Sequence, residues 1–232
     1  MNLRWGQNLR TVEYVERELN LRNFSQRLTE KRVRFPILVI DDEEFTPIDF
    51  LRRHKYNITH IPDAPNIDVA TSYPIVLCDI VGVGRSLSPN NHGAQLIAEI
   101  KKSFPEKIVI AYTGGATSPL LELSIQSADR YLKKDAPVEE WCQILDDAIL
   151  ELANPAAVWK KFRHRLLRAG ASPYQLAVLE DAFATHVLAG RETYEPQLLG
   201  QAKRINLPPA AKSIVLNLIA SAVFEFGKAM LH

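Results

Sequence analysis

Five polar residues sit at the ends of short apolar runs. Asp41 and Asp42 follow ILVI (37–40), Asp79 follows IVLC (75–78), Thr113 follows IVIAY (108–112), and Lys134 comes just after RYL (130–132). In an open α/β sheet the carboxyl ends of parallel strands converge on one crevice, so residues far apart in sequence meet there. Three carboxylates sharing that volume repel one another unless a divalent cation or a protonated group neutralises them, and oxygen-only ligands favour Mg2+ over zinc. Lys134 adds an ammonium group and Thr113 a hydroxyl donor. A hard cation, an ammonium group and a hydroxyl around one carboxylate form a site suited to receiving a phosphoryl group.

The elements that must position these residues are legible from residue 35 to about 152. Strands are expected at Ile37 to Ile40, Ile58 to Ile61, Ile75 to Cys78, Ile108 to Tyr112 and Arg130 to Leu132. Continuous apolar runs mark strands buried on both faces, and hence a parallel sheet covered by helices. The connecting helices are expected at Pro47 to His54, Gly93 to Ser103, Pro119 to Ser127 and Val138 to Leu152, with at most one helical turn between Asp63 and Tyr73.

The flanks read as helical. In residues 1–34, Val12, Val15 and Leu19, then Leu21, Phe24 and Leu28, recur at helical spacing with a slip near Asn20. This segment is expected to lie against the next domain or a second copy of the chain. In residues 153–232, Asn154 with Pro155 opens a helix that Gly170 closes, and Ser172 with Pro173 opens one that Gly190 closes. A third helix spans Tyr194 to Arg204. Pro208 and Pro209 precede a last one, Ala210 to Met230, whose polar stripe of Ser213, Asn217, Ser221 and Glu225 is narrow enough to require burial in a bundle or an oligomer interface.

Composition narrows the classes. Apolar residues at 47% and charged residues at 24% supply a true core and exclude a disordered tail. The net charge of +1 gives no global argument for nucleic acid or membrane, but it divides into +4, −8 and +5 over residues 1–34, 35–152 and 153–232. Cys78 and Cys142 make no disulfide framework, and the start has no signal-peptide run, so a soluble, cytoplasmic protein is expected.

The stretches VIDDEE, VLCDI, AYTGG and SADRYLKKDAP, with separations of 37, 34 and 21 residues (42 to 79, 79 to 113, 113 to 134), resemble the receiver domain of two-component response regulators over residues 35–152. The resemblance implies a flavodoxin-like, doubly wound five-stranded parallel sheet of order 2-1-3-4-5. It also implies that Asp79 is the phosphoacceptor and that Asp41, Asp42 and Asp79 hold Mg2+ with the backbone carbonyl of Val81. Thr113 and Tyr131 would be the switch residues, and Lys134 would pair with the phosphoryl oxygens. A histidine kinase or phosphotransfer protein would be the donor in a phosphorelay. The switch would reshape the surface made by the helices after the fourth and fifth strands.

The sequence departs from that pattern after Asp79, where IVGVGRSLSPNNHG replaces a short turn and could cap the site, bind a partner or block the donor. Val81 and Gly115 offer no side chain to orient a hydrolytic water, so slow self-dephosphorylation is expected. The cluster Lys160 to Arg168 invites a nucleic-acid reading, but Trp159, Phe162 and Leu166 interrupt it at helical spacing, which favours a packed helix with a solvated or receiver-facing basic side. Cys78 reads as a small buried strand residue, and His60, His164 and His186 as ordinary. The expected function is phosphorylation-switched signalling through protein contact or dimerisation of the helical flanks. The alternatives are a DNA-binding regulator with an unrecognised helical reader, or a pseudo-receiver that no longer accepts phosphate. An enzyme is not expected, because adjacent Asp41 and Asp42 lack the alternate-residue acidic pair of Mg2+-dependent phosphatases.

Overall fold

Alternation within the apolar runs sorts each strand between two layers, because successive side chains on a strand point to opposite faces. The computed structural model describes residues 9–18, 28–87, 90, 92–114, 122, 126–189 and 195–220. Its sheet comprises β1 (Pro36–Ile40), β2 (Asn57–Ile61), β3 (Ile75–Asp79), β4 (Ile108–Thr113) and β5 (Arg130–Lys133), all parallel, in the order 2-1-3-4-5. This is the expected doubly wound fold.

Ile37, Val39, Ile75, Leu77, Ile108, Ile110 and Tyr112 pack on one face, beneath α3 (Ile48–Arg53) and α5 (Val138–Ala153). Leu38, Ile40, Val76, Cys78, Val109 and Ala111 pack on the other, with α4 (His92–Ser103). β1, β3 and β4 are buried along nearly their whole length, which explains their unbroken apolar character. Between Asp63 and Tyr73 only a short 3-10 turn forms, Ile67–Ala70, capped by the Asn66 side chain. The helix expected over Pro119 to Ser127 lies mostly outside the described residues, as does Gly115.

Asn154 alone separates α5 from α6 (Pro155–Arg168). Its side-chain oxygen accepts from the backbone N–H groups of Ala156 and Ala157 at 2.9 and 3.1 Å, with Pro155 at the first helical position. Gly170, at φ +84°, ends that helix. Ser172 and Gln175 then form a reciprocal capping box at the start of α7 (Pro173–Ala189). α8 (Glu195–Arg204) and α9 (Pro209–Ala220) complete the bundle. Gly190, Tyr194, Ser221, Glu225 and the rest of the last expected helix lie outside the described residues, and nothing is described of the His186 and Asn217 side chains. Of the last helix's apolar face, Ala211, Val215 and Leu218 are buried.

The described parts of the N-terminal segment pack in two places, the first on the C-terminal helices and the second on the sheet domain. Val12 and Val15 of α1 (Val12–Glu18) join a core with Trp159, Phe162, Leu166, Leu176 and Phe183 of the C-terminal helices. The opening turn of α1 is fixed by α7 acids: the N–H groups of Arg10 and Val12 donate to Asp181 and Glu180. The expected helical spacing continuing over Leu19, Leu21 and Phe24 lies outside the described residues. α2 (Leu28–Lys31) and the 3-10 turn Arg32–Arg34 then rest on the sheet domain, where Arg32 makes two bonds to Asp146 at 2.6 and 2.8 Å and covers the Tyr56 ring. Residues 9–18 and 28–34 therefore contact different units.

The C-terminal unit docks at the amino ends of β4 and β5, away from the strand ends that carry Asp79 and Thr113. Lys161 of α6 pairs with Glu151 and stands 4.0 Å from Asp129; Arg130 pairs with Glu151 at 2.7 Å and Lys101 with Asp129 at 2.7 Å. With Trp159, Phe162 and Leu166 buried, the Lys160 to Arg168 helix is a packed helix whose basic side is partly turned to the acidic domain. Among the described residues no helix is long and apolar enough to cross a membrane.

Candidate functional site

The register carries the five sequence-picked residues to one edge. Ile40 pairs with Cys78, Asp79 with Tyr112, and Thr113 with Lys133, so the residues that follow β1, β3, β4 and β5 emerge side by side. Ligand atoms of Asp41, Asp42 and Asp79 all lie within 4.8 Å of one another. Lys134 Nζ bridges Asp41 and Asp79, 3.0 Å from Asp41 Oδ1 and 3.1 Å from Asp79 Oδ2, and reaches Glu43 Oε2 at 2.9 Å. The backbone N–H of Lys134 donates to the Thr113 carbonyl at 3.0 Å, which ties the lysine to the end of β4. Thr113 itself is buried.

The three carboxylates differ in environment. Asp41 is fully buried and accepts from three donors: the Glu43 backbone N–H and Lys134 on Oδ1, and the Tyr112 hydroxyl on Oδ2 at 2.8 Å. With two lone pairs per oxygen, only one acceptor position is left, on Oδ2. Asp42 is exposed, with Arg85 3.7 Å away. Asp79 lies between these extremes, its Oδ1 accepting from the Val81 backbone N–H at 3.1 Å and its Oδ2 from Lys134. Burial pushes the Asp79 carboxyl above its ordinary pKa, opposed by the Val81 N–H and by Lys134 and reinforced by the neighbouring Asp41. For Lys134, burial works against the charge, but bonds to Glu43, Asp41 and Asp79 outweigh it and raise its pKa. Desolvation and the adjacent Asp41 charge raise the Tyr112 phenol, so it stays a donor at neutral pH.

The long segment after Asp79 folds back over the site edge. Gly82, at φ +93°, lies against Asp42, where a β-carbon would overlap the carboxylate. Its N–H donates to His92 Nδ1 at 3.3 Å, while the Gly84 N–H donates to Asp63 at 2.5 Å. A β-carbon on Gly93 would strike the Asp79 carbonyl, so α4 begins as close to β3 as its backbone allows. Tyr131, one strand away, is half-buried on the α4 face. His60 Nε2 donates to the Asp41 backbone carbonyl at 2.9 Å, and Cys78 is wholly buried.

Sequence reasoning did not single out four residues here: Glu43, Tyr112, Gly82 and Arg85. Glu43 and Tyr112 lie inside the motifs VIDDEE and AYTGG, so their nearness was available. What was not available was the direction of the Tyr112 side chain, which depends on strand register.

The chain is similar to response-regulator receiver domains. A receiver domain protein of Methanospirillum hungatei shares 20% identity over 49% of this chain and 95% of its own, with a TM-score of 0.37. Full-length FixJ from B. japonicum shares 19% identity over 85% of this chain and 98% of its own, at 0.44. A response regulator of Burkholderia pseudomallei, described with a phosphorylated aspartic acid, a calcium ion and citrate, shares 20% over 78% and 97%, at 0.38. No protein-family model matches the chain, and no curated protein does.

Proposed function

We propose that the chain is a phosphorylation-switched signalling protein with Asp79 as its phosphoacceptor. The observation that carries this reading is the Asp79 carboxylate itself, anchored at one oxygen by Val81 N–H and at the other by Lys134, beside Asp41 and Asp42. A carboxylate held this way is presented to an incoming phosphorus without rotating freely, which converts much of the entropic cost of attack into preformed geometry.

The donor set, all oxygen and rich in charge, fits Mg2+: Asp42 and Asp79 would hold it, with Asp41 behind them and the Val81 carbonyl as a further oxygen. Such an ion supplies Lewis-acid neutralisation of the phosphoryl oxygens. In the transfer, an Asp79 oxygen attacks phosphorus as the bond to the donor imidazole or acyl oxygen breaks, and the leaving group departs with its electron pair. Lys134 exchanges carboxylate partners for phosphoryl oxygens, starting from Glu43, whose side chain is 74% exposed and holds it least. Thr113, at the end of β4, would be the hydroxyl that follows the new charge, and Tyr131, which pairs with Ala111 two residues earlier, the aromatic that responds to it.

The output we infer is protein contact or dimerisation through the helical flanks, not catalytic turnover. Lys161 pairs with Glu151 near Asp129, which turns that cation of the Lys160 to Arg168 run toward the acidic domain. The test is acetyl phosphate or beryllofluoride with Mg2+, followed by intact mass and oligomer size, on wild type and Asp79→Asn. One added phosphoryl group confined to wild type, with a change in assembly, is expected. No adduct on wild type would leave a pseudo-receiver.

A further inference from the structure

Tyr112 touches both the acid pocket and the helix that leads out of the domain. It lies on the α5 face of β4, fully buried, with its hydroxyl donating to Asp41 Oδ2 at 2.8 Å. The ring packs edge-on against Trp141, with centroids 5.3 Å apart and planes at 83°, and Phe45 closes the group at 5.6 Å from Tyr112 and 5.1 Å from Trp141. Edge-to-face aromatic contacts depend on ring angle, so a turn of the phenol is felt by the indole.

Trp141 stands in the first turns of α5, and α5 runs to Ala153, one residue short of α6. Among the described residues the buried indole N–H of Trp141 has no acceptor. A buried donor left unpaired is costly, so a shift that brings an acceptor to this N–H is favoured. Phe45, for its part, follows the acidic run that contains Asp41, Asp42 and Glu43.

We propose that Tyr112 is a positioning residue: it fixes Asp41 behind Asp42, and it passes occupation of the acid pocket to α5 through Trp141. The proposal rests on the phosphoacceptor reading above. Asp41 gives up little freedom of its own, because three donors hold it. When positive charge enters beside Asp42 and Asp79, Lys134 is displaced from Asp41, and the phenol becomes the side-chain donor that still restrains it. The resulting shift of Asp41 draws the Tyr112 ring with it. A phenylalanine at this position would keep the packing and lose the link.

The experiment uses the full chain labelled with 5-fluorotryptophan, whose three resonances, Trp5, Trp141 and Trp159, are assigned with Trp→Phe variants. Mg2+ is added first, then beryllofluoride, with calorimetry measuring Mg2+ affinity in parallel. In wild type the Trp141 resonance is expected to move on Mg2+ addition. In Tyr112→Phe, Mg2+ affinity should fall about 10-fold, as for loss of an outer-shell partner. The Trp141 shift at saturation should vanish, and Trp159 should keep its wild-type position as the sign of an intact fold. A full Trp141 shift in Tyr112→Phe, or a silent Trp141 in wild type that binds Mg2+, overturns the proposal alone. Wild type that takes up neither Mg2+ nor beryllofluoride overturns the phosphoacceptor reading and this inference together. Should Tyr112→Phe not fold, Phe45→Leu keeps the phenol and loosens the rings. It must shrink the Trp141 shift while holding Mg2+ affinity within about twofold; an unchanged shift there counts against the proposal.

Discussion

The backbone of Gly82 lies directly against the carboxylate of Asp42, at a φ of +93° and with no room for a β-carbon. The segment after Asp79 is thereby fitted to the most exposed of the three aspartates. Gly82→Ala should push Asp42 aside or unseat the segment, lowering Mg2+ affinity about 10-fold or more. The backbone strain alone should cost about 1 kcal/mol of stability. Calorimetry and urea melts report the two effects separately. Unchanged affinity would remove Asp42 from the metal site.

Lys134 is the cation that makes three carboxylates tolerable in the metal-free protein. Lys134→Ala leaves buried Asp41 and Asp79 facing each other, which should destabilise the metal-free fold by roughly 1–3 kcal/mol. Added Mg2+ should recover part of that loss. Denaturant midpoints with and without Mg2+ measure it, and a variant as stable as wild type without metal contradicts the account.

Asp79 predicts a pH dependence of definite sign. Its folded-state pKa is raised by burial, so the folded chain holds that proton more tightly than the unfolded chain does. Wild-type stability from this group is greatest in acid and declines as pH rises from the ordinary aspartate value through the raised one. Asn cannot ionise. Metal-free Asp79→Asn should therefore match wild type below the ordinary aspartate pKa and gain on it as pH rises through the raised one. Thermal midpoints across that range give the answer, and an advantage that shrinks with rising pH has the wrong sign.

Val15 is fully buried in the core of the C-terminal helices although it lies near the start of the chain. Val15→Ala should cost about 2 kcal/mol. The loss should appear as faster amide exchange in α6 and α7, which share its core. Exchange confined to residues 9–18 would show that α1 is an accessory and not part of that bundle.

Much of the fold is visible in residue order. ILVI, IVLC and IVIAY are apolar on both faces because helices cover both, and the carboxyl-end residues of such runs must converge. Hence Asp41, Asp42, Asp79, Thr113 and Lys134 were identifiable before any coordinate. The C-terminal helices announced themselves through Asn154–Pro155 and Ser172–Pro173, whose capping chemistry is local and so needs no tertiary information.

The partners of α1 and of Tyr112 were not visible in the same way. Helical spacing shows that Val12 and Val15 need a cover, but any apolar surface satisfies spacing; only the packed chain shows that Trp159 and Phe183 provide it and the sheet does not. The tyrosine of AYTGG could have faced either layer until pairing of β4 with β3 and β5 set its direction, since a one-residue slip reverses every side chain. Sequence by itself determined which chemistry the strand ends carry, because residue type and local period are properties of a single stretch. Tertiary structure decided how that chemistry is restrained, with Asp41 bound by Tyr112, Asp42 covered by Gly82 and Lys134 shared among three acids, because each of those relations joins segments whose separation along the chain leaves no local trace.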